Sequence, residues 1–302
     1  MGWWWRIMSS ERMPQTQLYL DEDMDVGQVL ALPQGEIAIY CARCPGSSSA
    51  NEDAAGLLPV NEQALVLVVA DGLGGAVAGA RAAKVAIGSL QEALRPATDD
   101  QLLLRSAIIN GIEEANQAVR SHGTGMATTL AAVEVYGRTI RPYHVGDSMV
   151  MVVGQRGKIK LQTVSHSPVG YAIEAGVLDE AEAMHHEDRH LVSNYIGNPS
   201  MRIEVGSALN LADRDTVLLA SDGLFDNLRL DEIVQTIRKG PLRLAVSTLA
   251  RAARQRMETP SQNQPSKPDD LTIVLFRPPA AMRSTSRRSA NRRSGRSSDG
   301  DE

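Results

Sequence analysis

Two cysteines in 302 residues, Cys41 and Cys44, are too few for the disulfide framework of a secreted domain. They fit a reducing compartment, and a cytoplasmic location is the expectation. No run approaches the roughly 18 apolar residues of a membrane span, so no membrane partner is predicted. The apolar start, Met1-Gly2-Trp3-Trp4-Trp5-Arg6-Ile7-Met8, is too short for a signal-peptide core. Internal repeats are missing as well. Basic charge is scarce in the body of the chain: net charge is −5, yet Arg277 to Glu302 carry a local +4, which leaves −9 for the rest. Such a body lacks the basic face that a nucleic-acid backbone requires, so no nucleic acid is expected to bind the domain itself. The tail at 278–302 is Arg/Ser-rich and has too little apolar surface to fold, which predicts disorder.

What is present is enough hydrophobic residue, 43%, to build a substantial core. Apolar spacing predicts helices over about Val77 to Leu94, around Leu104, Ile108, Ile112, Ala115 and Val119, over about Asp231 to Ile237, and from about Leu242 to Met257. Short β-rich runs predict strands at Glu36–Tyr40, Leu65–Ala70, Thr129–Tyr136, Thr139–Val145, Met149–Val153, Lys158–Thr163, Thr216–Ala220 and Leu271–Phe276. Four of these follow one another from Thr129 to Thr163 with no room for a helix, which reads as a meander. Strands in succession with helices before and after point to an α+β fold of stacked antiparallel sheets covered by helices. Residues 1–34 read as a partly disordered leader and 35–277 as one domain. The strand and helix pattern breaks at about 166–206, a long polar insertion that reads as a small helical flap.

The acidic residues fall in a pattern. Leu65 to Ala70 runs into Asp71-Gly72, and Val217 to Ser221 runs into Asp222-Gly223. Asn51-Glu52-Asp53-Ala54, Gly146-Asp147-Ser148 and Pro268-Asp269-Asp270 mark three more strand boundaries. Any one of these is an ordinary turn. Several carboxylates brought together at the rim of a packed core would repel and resist ionisation unless cations held them. Oxygen donors without a His or Cys set point to Mg²⁺ or Mn²⁺ rather than zinc. Two such ions can share a water, lower its pKa and clamp a phosphoryl group for in-line displacement.

Six ordered motifs complete this reading: Asn51-Glu52-Asp53-Ala54, Ala70-Asp71-Gly72-Leu73-Gly74-Gly75, Gly125-Met126-Ala127-Thr128-Thr129, Val145-Gly146-Asp147-Ser148, Ala220-Ser221-Asp222-Gly223-Leu224-Phe225-Asp226, and Asp269-Asp270-Leu271-Thr272. Over about residues 36 to 277 the chain resembles the type 2C metal-dependent protein serine/threonine phosphatases (PPM family), in their bacterial form. The resemblance implies a four-layer α-β-β-α sandwich with metals at one end of the two sheets. It implies that Asp71 bridges two ions, that Gly72 offers its carbonyl, and that Asp222 and Asp269 complete one ion's shell. The resemblance likewise implies that Glu52 and Asp53 bind mainly through metal-bound water, and that Asp147 helps to hold a third, weaker ion. It further implies hydrolysis of phosphoserine or phosphothreonine by a metal-bridging hydroxide, with phosphorylated protein substrates of a serine/threonine kinase as partners and a monomeric enzyme.

The chain departs from the family at four places. Ser48 stands where an Arg usually grips the substrate phosphate, Met149 replaces the Arg after Gly-Asp-Ser, and Ser165 replaces the Asp before His-Ser. Leu73 follows Asp71-Gly72, so no histidine stands ready to protonate the leaving group, a task that falls to a metal-bound water. Without an Arg at 48, phosphate binding is expected to be weak unless Arg43 reaches the site. Two rivals follow: a metal-binding pseudophosphatase that docks phosphoproteins, and a relative acting on a small phosphorylated molecule. Weaker signals carry less. Cys41-Ala42-Arg43-Cys44 has redox spacing but offers half a zinc site, and Gly72-Leu73-Gly74-Gly75 lacks the Lys-Ser/Thr of a nucleotide loop. His185, His186 and His190 read as a solvated flap.

Overall fold

The computed structural model describes residues 15–96, 101–123, 125–183, 186–261 and 264–280. The Trp-rich start, the tail from Ala281 and His185 lie outside the described residues. Two antiparallel sheets face each other. One runs in the order Gln17–Leu20, Ala54–Pro59, Ala64–Ala70, Leu130–Tyr136, Thr139–Val145, with the short strands Glu204–Val205 and Leu209–Asn210 on the last. The other runs Ile159–Gln162, Met149–Val153, Thr216–Ala220, Leu271–Arg277, Gly35–Ala42, Gln28–Leu32.

Alternation along each strand produces three apolar layers. Leu65, Leu67 and Val69 pack between the sheets against Ile37, Ile39, Val217, Leu219, Val274 and Phe276. Val66, Val68 and Ala70 face outward onto Ile87, Leu90, Leu104 and Ile108 of the helices Ala76–Leu94 and Gln101–Ser121. Across the molecule, Ala38, Tyr40 and Ala42 meet Val246, Leu249 and Ala253 of the helix Leu242–Glu258. Because both faces of the central strands are covered, their sequences read as unbroken apolar runs. The layering is the α-β-β-α sandwich that the resemblance implied. Among the described residues no helix is long and apolar enough to cross a membrane.

The structure corrects two expectations. The run from Thr129 to Thr163 is not one meander, since its first two strands lie in one sheet and its last two in the other. The chain crosses over at Gly146, whose φ of 110° favours glycine and whose Cβ would run into Thr129. The sheets also begin before residue 35: Gln17–Leu20 pairs with Ala54–Pro59 and Gln28–Leu32 with Gly35–Ala42, so the domain takes in strands assigned to the leader. Between 166 and 206 lie the helices Pro168–Glu174 and Glu180–Ala183 and a 3₁₀ turn, Glu187–His190. Ser167 caps the first of these by accepting a hydrogen bond from the Gly170 amide at 2.9 Å.

Candidate metal centre

Strand register delivers the carboxylates to one end of the sandwich. Ala54 pairs with Ala70, so Asp53 and Asp71 emerge side by side from the first sheet. Met149 pairs with Ala220, which sets Asp147 and Ser148 beside the start of the Ser221-Asp222 turn in the second sheet. Ala220 pairs with Ile273 and Leu271 with Ala42, so Asp269 and Asp270 arrive at the same end. Hydroxyls join the two sheets there. Ser221 Oγ donates to Asp53 Oδ2 at 2.7 Å, and Thr129 Oγ1 lies 2.6 Å from Ser148 Oγ. The Asp71 amide donates to Thr129 Oγ1 at 3.1 Å and its carbonyl accepts from the Thr129 amide at 2.8 Å. The Gly72 amide donates to the Glu52 carbonyl at 3.1 Å. Gly72 must be small, because a Cβ would strike the backbone of Gly79 in the first helix, and a Cβ on Gly79 would strike the Glu52 carboxylate.

Crowding shows in the titration of these groups. Burial pushes Asp53 and Asp71 well above the usual carboxylate range, with further upward pressure on Asp71 from Asp53 and Asp222. Burial and the Asp222 charge lift Asp147 to about 8, Asp269 to about 7 and Asp226 to about 6, in each case against a lowering by Lys267. Burial and Asp270 raise Glu52. Asp222 Oδ1 is buried and has no hydrogen-bond partner among the described residues. A buried carboxylate oxygen left without a donor is costly, and a hard divalent cation would satisfy it. Every donor in the cluster is an oxygen, so the residues present fit Mg²⁺ or Mn²⁺.

The structure brings together Asp53, Asp71, Asp147, Asp222 and Asp269, and it adds two residues that the sequence reading did not assign. Asp226 lies one helical turn beyond Asp222, and Lys267 Nζ stands among Asp222, Asp226 and Asp269, with oxygen contacts of 2.5, 2.9 and 3.1 Å. Asp270 is taken up by backbone, accepting from the Cys44 and Glu52 amides, both at 2.6 Å. Arg43, the candidate phosphate ligand, pairs with Asp21 at 3.1 Å, while Ser48 is exposed. Cys41 is buried between the sheets, and burial raises its thiol, as it does that of Cys44. A lone buried thiol held protonated does not make a redox pair.

A second group with metal-ligand residue types is formed by His144 of the first sheet and by His166 and Glu204 near the two ends of the flap. Three of its four ring nitrogens are already engaged. His166 Nδ1 accepts from the Gly146 amide at 3.1 Å and Asn194 Nδ2 at 2.9 Å, which assigns the proton to Nε2, 3.1 Å from Glu204. His144 Nε2 donates to the Val164 carbonyl at 2.9 Å, and burial followed by the His166 charge lowers its pKa to about 4. The pair stacks at 4.3 Å and fastens the flap to the first sheet.

With this geometry in place, comparison with known proteins is direct. A family profile described as protein phosphatase 2C matches residues 42–267. The protein phosphatase PhpP of Streptococcus pneumoniae is 28% identical over 219 residues, which cover 70% of this chain and 84% of that one. The solved serine/threonine phosphatase of S. agalactiae superimposes with a TM-score of 0.68 at 26% identity, over 80% of this chain and 99% of the other. The catalytic domain of the serine/threonine phosphatase PstP, solved with two manganese ions, shares the fold at a TM-score of 0.61 and 22% identity, over 80% and 96% of the two chains. The chain belongs to the protein phosphatase 2C family.

Proposed function

We propose that the chain removes phosphate from phosphoserine or phosphothreonine in proteins, using Mn²⁺ or Mg²⁺. The observation that carries this reading is the convergence of carboxylates from both sheets around Asp222 Oδ1, a buried oxygen with no partner among the described residues. Asp71, the Gly72 carbonyl, Asp222 and Asp269 would hold two ions, Glu52 and Asp53 would act mainly through bound water, and Asp147 would contribute to a third. When bound, such ions supply the Lewis acidity that activates water and takes up charge on the phosphoryl oxygens.

The chain's own residues do the rest. Cross-sheet bonds from Ser221 and from Thr129 to Ser148 fix the spacing of the carboxylates, so little reorganisation is needed when charge develops. A groove of about 580 Å³ opens beside them, lined by Asp147, Asp222 and Asp226, by the apolar Val169, Ile173 and Phe225, and by Arg189 and Arg229. Its apolar lining suits a peptide segment rather than a small polar metabolite.

A second reading has an observation of its own: with Lys267 among three carboxylates and Ser48 at the usual Arg position, the chain would dock phosphoproteins without turnover. A phosphoserine peptide assayed with Mn²⁺, with Mg²⁺ and with chelator separates the two. The enzyme reading expects phosphate release in both metals and none in chelator. Peptide binding without release in all three arms would leave only the docking module.

A further inference from the structure

An ammonium group at the centre of a cation site is a competitor for that site. We propose that Lys267 is a tethered rival of divalent metal: in the metal-free chain its ammonium occupies the end of the cluster formed by Asp222, Asp226 and Asp269, and it must withdraw before a divalent ion can engage them. The inference rests on the metal-dependent reading above and goes beyond it, because it concerns what sets the affinity.

Three observations support it. Lys267 Nζ reaches carboxylates on two separate segments at once, at 2.5, 2.9 and 3.1 Å, and its side chain is only 22% exposed. Its backbone is built in rather than loose. The Lys267 amide donates to Asn227 Oδ1 at 2.9 Å, while Asn227 Nδ2 donates to the Lys267 carbonyl at 2.8 Å and to the Gly223 carbonyl at 2.9 Å. Asn227 is fully buried, so the lysine is aimed into the cluster from a fixed base. Finally, Asp222 is divided, with Oδ2 on the ammonium and Oδ1 without a hydrogen-bond partner among the described residues.

An ammonium and a divalent ion bound to the same carboxylates would lie within roughly 4 Å of each other, where like charges in a partly desolvated site repel strongly. Occupancy is therefore an exchange. The ammonium relieves the repulsion among the carboxylates when metal is absent, and it raises the metal concentration needed to displace it. A long, flexible side chain can leave for solvent while its backbone stays in place.

The test uses the full chain stripped of metal at pH 8, with Lys267→Met to remove the charge at similar length and Lys267→Arg to keep it. Calorimetric titration with Mn²⁺ is expected to show one site tightened about tenfold or more in K267M, equivalent to about 1.4 kcal/mol, and little changed in K267R. In chelator K267M is expected to melt lower than wild type. The wild-type chain gives a reading independent of any variant: Mn²⁺ should raise acetylation of the Lys267 amine by an amine-reactive ester severalfold, as read by peptide mass spectrometry. Equal or weaker Mn²⁺ binding in K267M, or Lys267 labelling that Mn²⁺ leaves unchanged, would overturn the proposal while leaving the metal-dependent reading intact. Absence of Mn²⁺ binding in all three chains would overturn that reading itself.

Discussion

The two ends of the carboxylate cluster hold their charge by different means. Asp53 and Asp71 rise from the first sheet; the Ser221 hydroxyl donates to the Asp53 carboxylate, whereas the bonds of Asp71 to Thr128 and Thr129 are made by its backbone amide and carbonyl. No ammonium or guanidinium pairs with either among the described residues. Asp222, Asp226 and Asp269 rise from the second sheet and share Lys267. The first end can be relieved only by protons or an external cation, whereas the second carries a cation of its own. The same strand-end geometry thus yields one half that demands metal and one half that bargains with it.

Breaking the second half should have the largest effect. Asp222→Asn takes one formal charge from a ligand set whose affinity depends on charge, and it is expected to cut turnover at least about a hundredfold and to weaken Mn²⁺ binding. Asp147→Ala should retain metal better but still slow turnover. Near-wild-type rates for D222N in limiting as well as saturating Mn²⁺ would remove Asp222 from the site.

Phosphate binding comes next in size. Arg43 is committed to Asp21, so Ser48→Arg is expected to lower KM severalfold, up to about tenfold, while Arg43→Ala changes it little. A tenfold rise in KM for R43A, with no gain for S48R, would make Arg43 the phosphate ligand.

Acid titration sharpens the comparison without mutation. In the metal-free chain Asp147 and Asp269, lifted to about 8 and about 7, keep protons that the unfolded chain releases near pH 4. Their contribution to stability is full below the unfolded pKa and is lost as pH rises through the folded values. His144, lowered to about 4, acts in the opposite sense only below about pH 6.5. Between pH 6.5 and 8.5 the melting temperature in chelator is therefore expected to fall by about 5 °C, and saturating Mn²⁺ should abolish the fall. A flat or rising profile in chelator would show that burial is not straining these carboxylates.

The smallest effect expected is that of deletion from Ala281 onward. An Arg/Ser tail with no apolar periodicity has nothing to pack, so melting temperature and activity on a small aryl phosphate should stay at wild-type values. A large drop in melting temperature would make the tail structural.

The fold was legible where burial on both faces left a continuous apolar signal, as in Leu65 to Ala70 and Thr216 to Ala220. It was hidden in Gln28–Leu32, an edge strand whose side chains are mostly exposed, and in Ala54–Pro59. The latter carries Gly56 because a Cβ there would press on Val68 and Ile87, and glycine and proline both argue against a strand when read alone. Periodicity also could not show that the chain changes sheets at Gly146, since each strand looks the same in either sheet. Within the site, Asp71 and Asp222 announced themselves as the ends of apolar strands. Lys267 did not, because nothing local marks a lysine before Pro268-Asp269 as buried; only the fold brings it to Asp222 and Asp226 from 45 and 41 positions away.

The central claim is that these carboxylates form a site for a pair of divalent cations, and direct titration of Mn²⁺ into the metal-stripped wild-type chain at pH 8 measures it. Binding of at least two ions per chain, lost in part in D222N, is the predicted result. A chain that takes up no Mn²⁺, or one whose uptake is indifferent to Asp222, would contradict it.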